Sequence, residues 1–365
     1  MWFQRMSLEV WFDRYQYEVK YDIGESAVKF HTFENLNINL GSLPLRYGFH
    51  MGRPDLREKL AEQYPGFTGD NIIVTSGASE ANFAIVSAVA MPGDHIVVEH
   101  PNYSSMYEVP KSLGCEVSFL ELEYDTQFKP DLQKLEDLIR PETKLVSLTH
   151  PNNPAGSMVS EDTLNDIIKI VEKNDVYLLF DETYRDLAFE EILPAAASLS
   201  PKVISISSMS KIYGLPGIRI GWAATQDTSI LDSMLAIREQ VSITNNAMSE
   251  EVAVSVLARK DEFLERSKAH VARNLKTVTA WMDAQEDFEW VPPEAGVVSL
   301  PRLKESVPVD PEDLWIALAE KYKTFIIPGR CFEIDNHYFR LGFGATNEEI
   351  VTGLANIEKA MNDLK

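Results

Sequence analysis

The stretch SISSMSKIYGLPGIRIGW, residues 205–222, decides the fold. Small and β-branched residues over 203–207 read as a strand running into the hydroxyls of Ser207 and Ser208. Lys211 follows in a loop, and Arg219 stands between Gly217 and Gly221 as a further apolar run, 218–224, begins. An amine at the mouth of a sheet is a candidate for condensation with a carbonyl. An arginine and several hydroxyls close by can hold a phosphate through charge-assisted hydrogen bonds. A surface lysine in a polar loop would read the same way from this stretch alone.

Upstream, further short apolar runs at 72–75, 95–99, 116–120, 145–149 and 176–181 read as strands, making seven with 203–207 and 218–224. Several are apolar at every position, as expected of strands covered on both faces of a mostly parallel sheet. Helical patterns at 80–89, 103–113, 131–139 and 161–173 lie between them. This alternation predicts an α/β fold, a mostly parallel seven-stranded sheet flanked by helices. After about residue 245 the pattern changes to long helices at 249–259 and 261–282. Weaker strands follow near 288–291, 297–300, 325–328 and 338–343, then a closing amphipathic helix at 346–364. The expected organisation is a large central domain over 41–255 and a smaller α+β domain built from 1–40 and 256–365.

Composition narrows the function. The chain carries 34 basic and 56 acidic residues, a net charge of −22, which repels nucleic acid and anionic membranes. No apolar stretch reaches the ~18 residues of a membrane helix, and charges interrupt the first twenty residues, unlike a signal peptide. Two cysteines, Cys115 and Cys331, show neither metal-ligand spacing nor a disulfide framework. The seven histidines form no chelating cluster. A cytoplasmic protein without a metal is the expectation.

Other segments carry chemistry in the same order along the chain. FDETYRD (180–186) puts Asp181 at the end of a buried strand, where an acid is also a common helix cap. HPNNPAG (150–156) follows the strand before it and forms a turn readily. VTSGASEANFAI (74–85) joins a strand to a helix whose N-terminus offers free N–H groups to an anion. HPNYSSMYEVPKSLG (100–114), LRYGFHMGRPDLREKLAE (45–62) and NHYFRLGFG (336–344) complete the set.

Together with 205–222, these segments resemble the class I/II, fold-type-I, pyridoxal-phosphate-dependent aminotransferases, from about residue 41 to 344. The resemblance implies pyridoxal 5'-phosphate on Lys211 as a Schiff base. It places Asp181 against the pyridine nitrogen, where a carboxylate keeps the ring protonated, and Tyr184 and Asn153 on the ring O3' oxygen. Tyr103 would stack on the ring. Gly77, Ala78, Ser79, Ser208 and Arg219 would hold the phosphate, with Tyr47 reaching the phosphate of the partner subunit in a homodimer. Arg340 would bind the substrate α-carboxylate as a bidentate, permanently charged partner. The implied reaction moves an amino group from an amino acid to a 2-oxo acid.

Three departures bear on the substrate. His150 and Ala155 alter the asparagine turn without removing Asn153. YDIGESAVKFH (21–31) offers Gly24 as a backbone contact for the substrate, but Glu25 and Ser26 are unusual there. PEAGVVSLP (293–301) carries valines where relatives have large aromatics. Glu25 would favour a cationic or amine-bearing substrate, or sit in a solvated loop. No second basic residue has a claim on a side-chain carboxylate; Arg238 lies near the specificity region but could pair with acids on a helix face. A lyase, decarboxylase or cyclase of the same fold carries nearly the same motifs, and a pyridoxal-sensing regulator would need a DNA-binding head for which the chain shows no basic segment.

Overall fold

The computed structural model describes residues 3–365. At its centre stand seven strands: β1 (Ile72–Thr75), β2 (His95–His100), β3 (Glu116–Glu121), β4 (Thr143–Thr149), β5 (Tyr177–Asp181), β6 (Val203–Ser208) and β7 (Gly221–Thr225). They pair in the order β1-β7-β6-β5-β4-β2-β3, and only β7 runs antiparallel to its neighbours. The α/β class and the seven-stranded sheet are therefore as the alternating pattern predicts.

β1, β2, β6 and β7 are buried at every position, which is why they lack alternation in the sequence. Their side chains still divide between two faces. Ile73, Ile96, Val98, Leu145, Leu179 and Ile204 pack with Ala81 and Ile85 of the helix Ala78–Val89. Val74, Val97, Val146, Leu148, Leu178 and Phe180 pack on the other face with Leu164, Ile167 and Ile168 of the helix Glu161–Lys173. The helices begin where the sequence offers caps: Asp131 accepts from the amides of Gln133 and Lys134, and Ser160 from that of Thr163.

One strand starts later than its composition suggests. Pro216–Ile218 forms a 3-10 turn and Arg219 takes a left-handed conformation, φ 52°, so β7 begins at Gly221 rather than at 218. The run 325–328 is likewise divided. Thr324–Phe325 pairs in parallel with Tyr21–Asp22, whereas Ile327–Pro328 pairs with Phe339–Gly342. The first pairing ties the two ends of the chain together, and the N-terminal helix Ser7–Tyr15 buries Leu8, Trp11 and Tyr15 beside it, with Trp11 Nε1 donating to the Ile326 carbonyl at 2.8 Å.

The parallel strands β1, β2, β4, β5 and β6 end along one edge, with Thr149 opposite Asp181 and Ser208 opposite Gly221. In open α/β sheets ligands bind outside these carboxyl ends.

Candidate active site

A cavity of ≈ 330 Å³ opens at that edge, within the range of small-molecule sites. Thr149, Asp181, Ile206 and Ser208 form its floor from the ends of β4, β5 and β6. Ala78, Ser79, Tyr103, Asn153, Tyr184, Lys211, Arg219 and Arg340 also line it, so most of the residues singled out from the sequence converge on one space.

At one end lies a concentration of donors. The helix Ala78–Val89 points its N-terminus at the cavity, supplying amide N–H groups and a positive dipole end. Ser208, Ser210 and the Arg219 guanidinium surround it. Arg219 is aimed there by its left-handed backbone, and its Nη2 donates to the Ser76 carbonyl at 3.3 Å. Gly77 has φ +80°, and a Cβ on it would fall 2.4 Å from Arg219 Nη2. A Cβ on Gly221 would fall 2.4 Å from the Gly77 carbonyl carbon. Both glycines are required for this close approach, although Gly77 stands behind Arg219 rather than on the cavity wall.

In the middle, Asp181 is 9 % exposed and accepts from the Thr183 amide at 2.9 Å. Burial pushes its carboxyl up to about 6. An acid in that state gains strongly from a buried cationic N–H partner. Behind it, His150 and Glu99 lie with fully buried side chains, Nε2 to Oε2 3.0 Å, and Glu99 Oε1 accepts from the Thr149 amide at 2.7 Å and from Asn152 at 3.0 Å. The unusual histidine of the asparagine turn thus faces a buried carboxylate.

Lys211 Nζ donates to Ser26 Oγ at 2.9 Å and to Glu25 Oε1 at 3.3 Å. Burial works against the lysine charge, but Glu25 and Tyr184 outweigh it and hold the ammonium above its ordinary value. Burial likewise works against the Glu25 carboxylate, and Lys211 and Arg340 together hold it below its ordinary value. The Tyr184 hydroxyl donates to the Ser26 carbonyl at 2.7 Å. The Tyr103 hydroxyl donates to Glu9 at 3.0 Å.

Arg340 is 1 % exposed. Its Nε and Nη2 donate to the Gly24 carbonyl at 3.1 and 2.8 Å, and its Nη1 donates to Asn153 Oδ1 at 3.0 Å. A guanidinium has five N–H donors, so one remains on each terminal nitrogen, the pair that a carboxylate takes. Asn153 keeps its Nδ2 as a donor. Gly24 serves differently from the sequence expectation of a substrate contact: its amide donates to Asp22 at 3.0 Å and its carbonyl is taken by Arg340, so its role here is to aim Arg340.

Two other residues lie elsewhere. Tyr47 is 81 % exposed and lies outside the cavity of its own chain. Arg238 is buried, donating to the carbonyls of His50 and Val74 and to Asn245, with Nε 3.7 Å from Glu80, so it braces the helix Thr228–Glu239 against β1. The sequence reading also missed one wall. Glu9, Phe12, Asp13, Gln16 and Tyr17, from the N-terminal helix and the turn after it, close the cavity opposite the sheet. The only sequence signal was amphipathic spacing, with Leu8, Trp11 and Tyr15 inward and Glu9 and Asp13 four residues apart on another face.

Residues 22–357 match the family model described as aminotransferase class I and II. Among curated proteins, the chain is 28 % identical over 326 residues to capreomycidine synthase of Streptomyces vinaceus, covering 88 % of this chain and 82 % of the relative. It is 24 % identical over 330 residues to an aspartate aminotransferase of Pyrococcus horikoshii, covering 87 % and 84 %. Its structure is similar to a PLP-dependent aminotransferase from Streptococcus suis, TM-score 0.94 and 30 % identity over 100 % of this chain and 99 % of that one. It is also similar to the PLP-dependent cyclase OrfR, TM-score 0.91 and 27 % identity over 99 % and 97 %.

Proposed function

The chain belongs to the class I and II aminotransferases, which makes it a pyridoxal-phosphate enzyme, and on that premise we propose that it moves an amino group from an amino acid to a 2-oxo acid with Lys211 as the cofactor-bearing residue. The observation that carries this reading is the convergence of Asp181, Lys211, Arg219 and Arg340 on one cavity. Their chemistry fits the cofactor, since the close-packed cradle at Gly77 presents donors for a phosphate and Asp181 is a buried acid for a ring nitrogen.

When bound, pyridoxal phosphate supplies a carbonyl that condenses with amines and a ring that accepts the electron pair left at the substrate Cα. Every other task falls to the protein. Ala78, Ser79, Ser208 and Arg219 bind the phosphate, with Gly77 giving them room. Asp181 holds a proton at the pyridine nitrogen. Asn153 and Tyr184, which line the cavity beside Lys211, would orient the ring through its O3' oxygen, and Tyr103 would stack against it. The free donors of Arg340 bind the substrate carboxylate and fix the direction of the Cα–H bond. Lys211 Nζ, when neutral, would take the Cα proton. Lys211→Ala should lower amino-donor turnover at least ~10³-fold, as expected for loss of both nucleophile and base. Turnover at the normal rate in that variant would refute the assignment.

A second reading, a lyase, decarboxylase or cyclase on the same cofactor, is favoured by the similarity to capreomycidine synthase and to the cyclase OrfR. Single turnover separates the two: transamination leaves the amine form of the cofactor on the enzyme, whereas the others regenerate the aldehyde form.

We also propose a homodimer whose sites are shared. Exposed Leu45, Tyr47 and Phe49 lie beside exposed Val241, Ile243 and Met248, the two segments being bridged by His50 and Glu239 at 2.8 Å. This apolar face would place Tyr47 against the partner's phosphate site. The division into 41–255 and 1–40 with 256–365 is supported by a sheet lying wholly within 72–225 and by the pairing of the chain ends. Free, buried Cys115 and Cys331 support a reducing, cytoplasmic setting.

A further inference from the structure

We infer that Glu25 is a specificity-determining residue, and that it selects an amino donor whose side chain carries a second positive charge, an amine or a guanidinium. The inference rests on the proposed amino-acid chemistry and deepens it.

The argument is one of charge matching in a single cavity. Its charged lining groups are Glu9, Asp13, Glu25 and Asp181 against Lys211, Arg219 and Arg340. The proposed chemistry occupies all three cations, with the phosphate on Arg219, the carbonyl on Lys211 and the α-carboxylate on Arg340. It occupies only one carboxylate, Asp181. Asp13 is mostly exposed and paired with Arg5. Glu9 accepts from Tyr103. Glu25 is different, because its side chain is only 19 % exposed and sits beside the reacting lysine.

Among the described residues, the one cation within ion-pair distance of Glu25 is Lys211 itself, at 3.3 Å. Lys211 must be neutral to take a proton, and Arg340 is matched by the incoming carboxylate. Glu25 would then remain as an enclosed carboxylate with no cation, which is costly. Its remaining partners, the Ser26 amide at 2.7 Å, the Ser26 hydroxyl at 3.4 Å and Gln16 Nε2 at 3.4 Å, are neutral. Asp22 stands behind it as a second carboxylate, bonded to the same Gln16 at 3.3 Å. A donor with a cationic side chain restores the balance. A dicarboxylate donor finds no free cation of this chain in the cavity and meets Glu25 and Glu9 instead.

The test uses the holoenzyme and a panel of L-ornithine, L-lysine, L-arginine, L-norleucine, L-aspartate and L-glutamate, followed by the absorbance change from aldehyde to amine form. A parallel arm measures calorimetric binding of α-methylornithine and α-methylaspartate, which have no Cα proton to lose. The wild type should prefer cationic donors and bind α-methylornithine more tightly. Glu25→Gln should lower kcat/KM for the preferred cationic donor about 10–100-fold, as for loss of a hydrogen-bonded charge. Most of that loss should fall on KM, and norleucine, which shares only the effect of the variant on Lys211, should lose at least about fivefold less. Glu25→Asp should recover part of it. Preference for aspartate or glutamate in the wild type, tighter binding of α-methylaspartate, or an equal loss for every donor in Glu25→Gln overturns the inference. If no donor yields the amine form, transamination fails, and the binding arm, which needs no turnover and no variant, still decides the role of Glu25.

Discussion

Replacing Asp22 by asparagine should stabilise the protein at neutral pH and by a pH-dependent amount. Asp22 Oδ1 accepts from the amides of Gly24 and Glu25 at 3.0 and 2.9 Å, and Oδ2 from Gln16 at 3.3 Å. Burial, followed by the neighbouring Glu25 charge, nevertheless pushes the carboxyl from 3.8 up to about 6. Each tenfold change in proton affinity is worth ~1.4 kcal/mol, so the charged form costs the fold about 3 kcal/mol at pH 7 if the unfolded chain titrates normally. Partial solvent access and the loss of the Gln16 hydrogen bond, which asparagine Nδ2 cannot accept, reduce the expected gain to about 1–2 kcal/mol. Asparagine keeps an oxygen for both amides and removes the charge facing Glu25. The sign follows from proton binding. Between pH 4 and 6 the folded state holds a proton that the unfolded state has released, so the wild type loses stability as pH rises through that window. Asp22→Asn should therefore differ most from the wild type at pH 7 and above, and converge with it near pH 4. An unfolding entropy of ~2.1 cal/mol/K per residue over 365 residues converts the gain to roughly 2 °C in Tm. Thermal melts of both proteins from pH 4 to 8 measure the difference. An equal or lower Tm at pH 7, or a difference that does not shrink toward pH 4, would show that the Asp22 charge is already compensated and that the reasoning is wrong.

Two other substitutions test the site and its support. Arg219→Ala removes a guanidinium from the donor cluster at the helix N-terminus; pyridoxal phosphate should bind about 10–100-fold more weakly by equilibrium dialysis, and an unchanged Kd would mean that the phosphate lies elsewhere. His150→Ala removes the imidazole whose Nε2 lies 3.0 Å from Glu99 Oε2 in a fully buried setting, so urea unfolding should show a loss of about 1–3 kcal/mol. A loss below about 0.5 kcal/mol would mean that the buried contact between His150 and Glu99 does not support the fold.

What the chain reveals before folding depends on how local the signal is. β2 and β6 are legible because burial on both faces leaves only a few polar residues, the histidines and Glu99 of β2 and the serines of β6, around short continuous apolar runs. The loop bearing Lys211 is legible because small residues, hydroxyls and glycines must be close together in sequence to make a tight cradle, and Gly77 and Gly221 are needed where backbone approaches backbone and guanidinium. The late start of β7 is not legible: Ile218 and Ile220 suit a strand, and only the tertiary demand that Arg219 turn toward Ser76 breaks it. The substrate side is hidden for a related reason. Its contacts join residues far apart in the chain, Tyr103 with Glu9, Lys211 with Glu25 and Arg340 with Gly24, and no period or spacing encodes them. Arg340 illustrates the consequence. Its residue type announces a carboxylate partner, yet its orientation comes from the Gly24 carbonyl, at a position where a Cβ would press to 3.0 Å from the Ile326 Cα and force a small shift. The same turn carries Glu25 toward Lys211. The proposed carboxylate site at Arg340 and the inferred cation selection at Glu25 thus depend on adjacent residues of one short segment, so a change of turn geometry at Gly24 would move both together, and on these proposals specificity would be altered from 22–26 without touching the residues assigned to the cofactor.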